Sequence, residues 1–351
     1  MPTKQLKGKR RAKEAGLLYV NSFDKGLSRR RCGNGFTYLT TTGKTVASER
    51  TRERIQSLAI PPAWEEVWIC PKMNGHILAR GVDDQGRPQY IYHERWQAIS
   101  SATKFDRMHL MAELLPRIRR RVRKDLTAKA LSRERVLAAV VRLLDKAHLR
   151  VGNERYTQER GSRGATTLAS NHVEIEEFSV SLDFPAKSGK QRSVEFSDKK
   201  IAKVVQQCEE LDGQYLFCYR DREGELRSVE STQVNEYLKE VTDEAVTAKD
   251  FRTWSGSVIA LSQLKEVEKD LTTTELKKAI NQAVATAADE LGNTKAVCRS
   301  SYIHPGLLST AEAGQFYDLL DKVGSVKSKP KAELTQDEDL FRRVLPHLEF
   351  N

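Results

Sequence analysis

The hydrophobic pattern of this chain changes from a strand period to a helix period near residue 100. Before this point, short apolar or aromatic runs alternate with turn-forming residues, which is typical of strands. These runs lie at 36–39, 67–70, 76–79 and 90–92. After it, apolar side chains recur every three or four positions, as in amphipathic helices. The pattern predicts an α+β chain, with a small β-rich N-terminal domain over 17–100 and a mainly helical domain over 101–351.

Two features stand out in the N-terminal part. Residues 1–16 are strongly basic and are expected to form a disordered tail. A short helix is expected over 48–58, ending before Pro61-Pro62, because proline disfavours helical geometry in the residue before it. The remaining residues up to about 92 are expected to be strands and turns.

The helical part contains one interruption. Ser132 is a residue type that caps helix N-termini and begins a helix there. Alternating apolar residues then predict a β-hairpin over 173–196, with Lys187 near its tip. Further helices are expected at 255–268 and 274–291. Gly292 is a natural C-terminal stop for the last of them.

The charge and cysteine content restrict the class of protein. The chain has 59 Lys and Arg against 48 Asp and Glu, a net charge of +11, which favours a polyanionic partner such as nucleic acid or an acidic membrane surface. Its five cysteines include no C-x-x-C pair, and its seven histidines are scattered. This argues against a disulfide framework and a protein-held metal, and favours a reducing compartment. With neither a membrane-length apolar run nor a secretory signal, the expected location is the cytoplasm.

Five residues together supply what a protein needs to attack a phosphodiester with a tyrosine and without a metal: Tyr302, Arg150, Arg252, Lys187 and Asn293. A phenol has a pKa near 10, so its ionisation at neutral pH costs about 4 kcal/mol unless positive charge lowers that pKa. Two arginines can pair with both non-bridging phosphate oxygens. A lysine can protonate the departing sugar oxygen, and the asparagine amide can donate a hydrogen bond.

Each of these residues also has an ordinary structural explanation when it is taken alone. Arg150 could lie at a helix surface, Arg252 could stack on neighbouring aromatic rings, and Tyr302 could pack in the core. Lys187 could be a solvated turn residue, and Lys190 on the same turn is a competing proton donor. The ordered set favours the functional interpretation.

A phosphate-binding loop is not supported, although Gly43-Lys44-Thr45 resembles the end of one. The glycine that such a loop needs five residues earlier is Tyr38 here, and no strand–loop–helix pattern surrounds it. No use of ATP or another cofactor is therefore expected.

At this point the chain resembles the type IB DNA topoisomerases of the compact poxvirus-like and bacterial kind. The resemblance runs from about residue 25 to 310. The matching segments are 54–64, 86–92, 149–156, 164–168, 249–253 and 293–302, the last ending at Tyr302. It implies an N-terminal DNA-capping domain and a catalytic domain of the fold that these enzymes share with tyrosine recombinases. The implied activity is relaxation of supercoiled duplex DNA, without ATP or metal.

The resemblance also implies a role for each candidate residue. Tyr302 would form a 3′-phosphotyrosyl bond, Arg150 and Arg252 would stabilise the transition state, and Lys187 would protonate the 5′ oxygen. Asn293 stands where many members carry histidine; an amide cannot act as a cationic acid, so proton donation falls on Lys187 and Arg150.

Further positions are candidates for DNA contact: Tyr156, Arg87, Tyr90 and Lys249. Double-stranded DNA is the expected partner, clamped by a monomer, with the enzyme at the nucleoid if the source is bacterial. Two alternatives stay open at this point. A tyrosine recombinase would share the chemistry, although recombinases usually carry histidine where this chain has Lys249. A non-catalytic basic nucleic-acid-binding protein would explain the charge alone.

Overall fold

The structure is a computed structural model that describes residues 2–269, 271–324 and 331–349. It divides into two compact units between Lys104 and Phe105. The first unit is built on a sheet and the second mainly on helices, so the predicted α+β class is confirmed. No helix among the described residues combines the length and the apolar character needed to cross a membrane.

The first unit contains a five-stranded antiparallel sheet in the order β2-β1-β3-β4-β5. Its elements are α1 (Pro2–Glu14), β1 (Leu27–Cys32), β2 (Gly35–Leu39), α2 (Glu49–Ser57), β3 (Glu65–Ile69), β4 (Ile77–Val82) and β5 (Pro88–Tyr92). The predicted helix at 48–58 is confirmed as α2. Ser48 caps the N-terminus of this helix, because its Oγ accepts a hydrogen bond from Thr51 N. Ile55 of this helix is buried in the small core against the sheet.

The expectation of a disordered tail over 1–16 is wrong for most of that segment, because Pro2–Glu14 form α1. Ala12 is completely buried and packs in a cluster with Ala15 and Leu17, against which Trp96 and Ile99 rest. The basic composition is typical of a charged tail, but Ala, Lys and Arg are also strong helix formers. Ala12 and Ala15 become buried only when the unit folds, and this packing stabilises the helix.

Helix α3 (Glu94–Asp125) runs from the first unit into the second, whose elements then follow in chain order. They are α4 (Arg133–Lys146), α5 (Glu154–Arg160), β6 (Val173–Glu176), β7 (Ser179–Pro185), β8 (Gln191–Ser197), α6 (Lys199–Glu209), β9 (Cys218–Arg220), β10 (Leu226–Ser228), α7 (Ser231–Thr242), α8 (Ala248–Lys265), α9 (Thr273–Glu290), α10 (Lys295–Ser301), α11 (Pro305–Glu312), α12 (Phe316–Gly324) and α13 (Gln336–Val344). Helix α8 lies at the centre and packs against α4, α9, α11 and α13.

Two elements differ from the sequence-based expectation in ways that matter for the site. The predicted hairpin over 173–196 is a three-stranded antiparallel sheet in the order β6-β7-β8. Helix α8 begins at Ala248 rather than at residue 255, because Asp250 Oδ2 accepts from Thr247 N at 2.7 Å and closes a capping box. Arg252 therefore belongs to the first turns of a buried helix.

Candidate active site

Arg252 is held at the centre of the second unit by backbone carbonyls. Only 4% of the residue is exposed. Its Nη1 donates to His148 O after α4, and its Nη2 donates to Leu291 O at the end of α9, at 2.6 Å. Its Nε is buried and has no partner among the described residues. The guanidinium is thus fixed between two helix ends, and its charge is available to a further group.

Arg150 lies in the loop after α4. The segment 164–168 fixes the backbone of this loop. Ala165 N donates to Arg150 O at 2.8 Å, and Thr166 N donates to Val151 O at 2.7 Å. A Cβ on Gly164 would come within 2.5 Å of Gly152 N, so the two loops approach too closely for any larger residue at position 164. The segment 164–168 therefore supports the chain that carries Arg150.

Asn293 is placed by the end of α9 and by Arg150. Gly292 adopts a left-handed conformation with φ +57°, and Asn293 N donates to Ala288 O at 2.8 Å. Arg150 Nη2 donates to Asn293 Oδ1 and, at 3.3 Å, to Gly292 O. Because the amide oxygen accepts from Arg150, the amide Nδ2 is left buried without a partner among the described residues. It is a hydrogen-bond donor that an anionic ligand could use.

Tyr302 follows α10 and is held against α8 through its backbone. Its amide donates to Cys298 O at 2.9 Å, and its carbonyl accepts from Ser257 Oγ at 3.2 Å. A Cβ on Gly256 would lie 2.7 Å from Tyr302 O, so glycine at this position permits the contact. The Arg252 guanidinium carbon lies 5.1 Å from the centre of the Tyr302 ring.

The charges around Tyr302 favour its ionised form. Burial by itself raises the pKa of the phenol, but Arg252, Arg150 and Lys249 outweigh burial and bring the pKa below its ordinary value of 10. Burial and the neighbouring Arg150 in turn lower the pKa of Arg252 to about 10, so it remains protonated at neutral pH. The site therefore combines an activated phenol with two fixed cations.

The structure brings four of the five predicted catalytic residues together, but not Lys187. That lysine is exposed, in a single 3-10 turn (Lys187–Gly189) between β7 and β8. Among the described residues, no hydrogen bond or ion pair joins Lys187 or Lys190 to Tyr302 or to either arginine.

The predicted DNA contacts fall in both units. In the second unit, Tyr156 is 50% exposed beside Arg160, whose guanidinium carbon lies 5.2 Å from the ring centre. Lys249 is exposed on the first turn of α8 and contributes to the field at Tyr302. In the first unit, Arg87 Nε donates to Asp83 Oδ2 at 2.6 Å, and Tyr90 stacks on a neighbouring tyrosine of β5.

Sequence reasoning missed Arg192 and His148. Arg192, on β8, donates to the Asp289 and Glu290 carbonyls at the end of α9. His148 has a positive φ of 52° and presents its carbonyl to Arg252. No local sequence signal marks either residue, because Arg192 donates to backbone carbonyls and His148 offers its own carbonyl, and only the folded chain brings these donors and acceptors together.

The family described as "Eukaryotic DNA topoisomerase I, catalytic core" matches residues 93–315, which is more than half of the chain and includes the whole cluster around Tyr302. The chain belongs to this family. A second match, to "Bacterial DNA topoisomerase IB, N-terminal domain", covers residues 35–83. The chain is a type IB DNA topoisomerase, as the sequence resemblance predicts, and the recombinase and the non-catalytic alternatives are set aside.

Relatives of two kinds support this assignment. DNA topoisomerase 1B of Acanthamoeba polyphaga mimivirus is 28% identical over 288 residues, which cover 80% of this chain and 85% of the viral one. DNA topoisomerase 1B of Vaccinia virus (strain Copenhagen) is 23% identical over 279 residues, or 77% of this chain and 85% of that one. DNA topoisomerase 1 of Drosophila melanogaster is 28% identical over 237 residues, which are 64% of this chain but 23% of the fly protein. The chain thus spans most of the viral enzymes and about a quarter of the animal one.

Proposed function

We propose that this topoisomerase relaxes supercoiled duplex DNA through a transient 3′-phosphotyrosyl bond to Tyr302, without ATP or a metal ion. The observation that carries the proposal is the grouping of this tyrosine with the buried Arg252 and the half-buried Arg150. Arg252 lies over its ring, and Arg150 is bonded to Asn293 on the adjoining turn. The surroundings lower the pKa of Tyr302, whereas burial raises the pKa of Tyr92, Tyr215, Tyr237 and Tyr317.

In the proposed cleavage step, Tyr302 Oη forms a bond to phosphorus while the bond from phosphorus to the 5′ oxygen breaks. The phenolic proton passes to solvent, and the 5′ oxygen takes a proton from Lys187, so the phosphodiester keeps its single negative charge. The free strand then rotates, and the 5′ hydroxyl attacks the phosphotyrosyl ester to reverse both changes. One ester replaces another at each step, which is why no ATP is required.

The two arginines and Asn293 are proposed to bind the non-bridging phosphate oxygens as charge accumulates on them. Arginine suits this role because it stays protonated and presents a planar pair of donors. Removing one preorganised donor of this kind typically slows a reaction by roughly 100- to 1000-fold. The unpartnered Arg252 Nε and Asn293 Nδ2 support this role, because each is a buried donor that still lacks an acceptor.

The remaining assignments extend this proposal to DNA binding. We infer that residues 17–100 act as the DNA-capping domain and 101–351 as the catalytic domain. Tyr156, Lys249, Arg87 and Tyr90 are proposed to contact the duplex, which a single copy of the chain would clamp. Such an enzyme would act in the cytoplasm, at the nucleoid if the source is bacterial.

A plasmid assay tests the proposal. Supercoiled plasmid is incubated with the protein in EDTA without nucleotide, and the products are separated before and after denaturation. The parent protein should relax the plasmid and leave a denaturation-resistant adduct, whereas Tyr302→Phe should bind DNA but give neither result. Tyr219→Phe, which removes a hydroxyl near Gln233, is the matched control and should behave like the parent. Adducts in Tyr302→Phe would assign the nucleophile elsewhere.

A further inference from the structure

Arg192 joins a strand to the end of a helix. It lies on β8, directly opposite Phe184 of β7. Its Nη1 donates to Asp289 O at 2.9 Å and its Nη2 donates to Glu290 O at 2.5 Å. These carbonyls belong to the last turn of α9, where the helix itself leaves acceptors without partners. A cation at a helix C-terminus also interacts favourably with the helix dipole.

The same arginine packs on the turn that carries Asn293. A Cβ added to Gly292 would lie 3.4 Å from Arg192 Cδ, so the side chain passes directly over this glycine. Gly292 O and Asn293 Oδ1 both accept from Arg150. Arg192 therefore contacts the residue that precedes Asn293, which is proposed to bind the phosphate. Both terminal nitrogens of Arg192 are already bonded to backbone carbonyls.

The hairpin that Arg192 anchors is the one that carries Lys187. Pro185 pairs with Gln191, and Ala186 N donates to Lys190 O at 2.8 Å, so Arg192 sits just beneath the turn. Lys187 is exposed and makes no hydrogen bond or ion pair within the described part of the chain. The position of its ammonium group thus depends on how firmly the hairpin is held.

We propose that Arg192 is a positioning residue that fixes the Lys187 hairpin to the C-terminal end of α9, and so sets the proton donor against Asn293 and Tyr302. This inference rests on the proposed role of a hairpin lysine as general acid. It predicts that losing Arg192 impairs protonation of the leaving group more than it impairs attack by the tyrosine.

Two duplexes that differ in one atom separate these effects. Both carry a cleavage site mapped with the parent enzyme, and in one of them sulphur replaces the bridging 5′ oxygen. A thiolate leaves without being protonated because a thiol is far more acidic than an alcohol, so the sulphur duplex does not need the general acid. The measurement is the single-turnover rate of adduct formation on each duplex.

Arg192→Ala should slow cleavage of the oxygen duplex by about 100-fold and that of the sulphur duplex by less than about 3-fold. Lys187→Ala should show the same split, that is, slow cleavage of the oxygen duplex and near-parent cleavage of the sulphur duplex. Arg220→Ala is the matched control and should affect neither rate. This exposed arginine also lies on a strand and donates to a carbonyl, but the acceptor, Gly224 O, belongs to its own hairpin. Should Arg192→Ala fail to fold, Arg192→Lys, which keeps a cation but not both hydrogen bonds, must show the same split in smaller measure.

Equal slowing of both duplexes by the Arg192 variants would overturn the inference, because it would mean a general structural or phosphate-binding role. A split with Arg192→Ala and Lys190→Ala but not with Lys187→Ala would support the positioning role and reassign the acid to Lys190. A split with Lys187→Ala alone would refute the role of Arg192 and leave the proposed function standing. Loss of adducts in Tyr302→Phe is scored separately, so failure of the nucleophile assignment is recognisable.

Discussion

Replacing Gly256 with alanine tests whether α8 positions the tyrosine. In the interior of an ordinary helix, this change stabilises a protein by about 1 kcal/mol, because glycine is a poor helix former. Here the new Cβ would lie 2.7 Å from Tyr302 O and 3.0 Å from both Tyr302 Cβ and Leu291 Cδ1. Ordinary contact begins at 3.4 Å, so the backbone at Tyr302 must move by about 0.7 Å.

That displacement has two expected consequences. The Ser257 hydroxyl, 3.2 Å from Tyr302 O, resists the movement, so overpacking should lower the free energy of unfolding by about 1–3 kcal/mol. A nucleophile misplaced by a large fraction of an ångström should also form adducts about 100-fold more slowly. Urea denaturation measures the first effect, and single-turnover adduct formation on a short duplex measures the second.

Gly324→Ala is the matched control for this experiment. Gly324 ends α12, is exposed, and has no atom within 4 Å of an added Cβ. Its replacement should change the free energy of unfolding by less than about 0.5 kcal/mol and leave the adduct rate unaltered. A Gly256→Ala protein that is more stable than the parent and cleaves at the parent rate would refute the reasoning.

Three further predictions concern charge. Adduct formation should speed up with rising pH and level off below pH 10, because the pKa of Tyr302 is lowered. The rate should fall again as Arg252 loses its proton near its pKa of about 10. A rate that rises steadily past pH 11 would contradict this prediction. Burial raises the pKa of Glu338, but hydrogen bonds and charge from Arg119 bring that pKa below 4.5. The Glu338–Arg119 pair therefore stabilises the folded protein above pH 4.5, and this stabilisation is lost as pH falls through the lowered pKa. Glu338→Gln should therefore lower the free energy of unfolding by about 3 kcal/mol at pH 7, by thermal or urea denaturation, with a smaller difference below pH 4.5. DNA affinity, followed by fluorescence anisotropy, should fall steeply with salt as phosphate contacts release counterions, and a flat dependence would argue against the clamp.

The chemistry of the site was predictable from the sequence because it depends on residue type. A tyrosine, two arginines and an asparagine in recognisable segments define a nucleophile, two cations and a donor wherever the chain places them. The family resemblance assigned these roles, and the structure brings Tyr302, Arg252, Arg150 and Asn293 together. The turn that contains Lys187 was also predictable from the sequence, but the position of Lys187 relative to Tyr302 was not.

The strand and helix periods determined the α+β class, because side-chain direction alternates locally along a strand and recurs every 3.6 residues along a helix. Capping at Ser132 and the stop at Gly292 are local in the same sense. The N-terminal helix was missed because its stability depends on burying Ala12 in a cluster with distant residues. The early start of α8 was missed because Thr247 and Asp250 were not recognised as a cap.

Only the tertiary structure decided how the parts of the site are held. Arg252 is oriented by carbonyls of His148 and Leu291, more than thirty residues away on either side, and Arg192 by carbonyls nearly a hundred residues further along the chain. Every residue carries such a carbonyl, so the acceptor leaves no mark in the sequence. The sequence by itself thus determined which groups perform the chemistry. The packing of α8 against α4 and α9 determined where those groups lie, because contact distances depend on the path of the whole chain rather than on local preference.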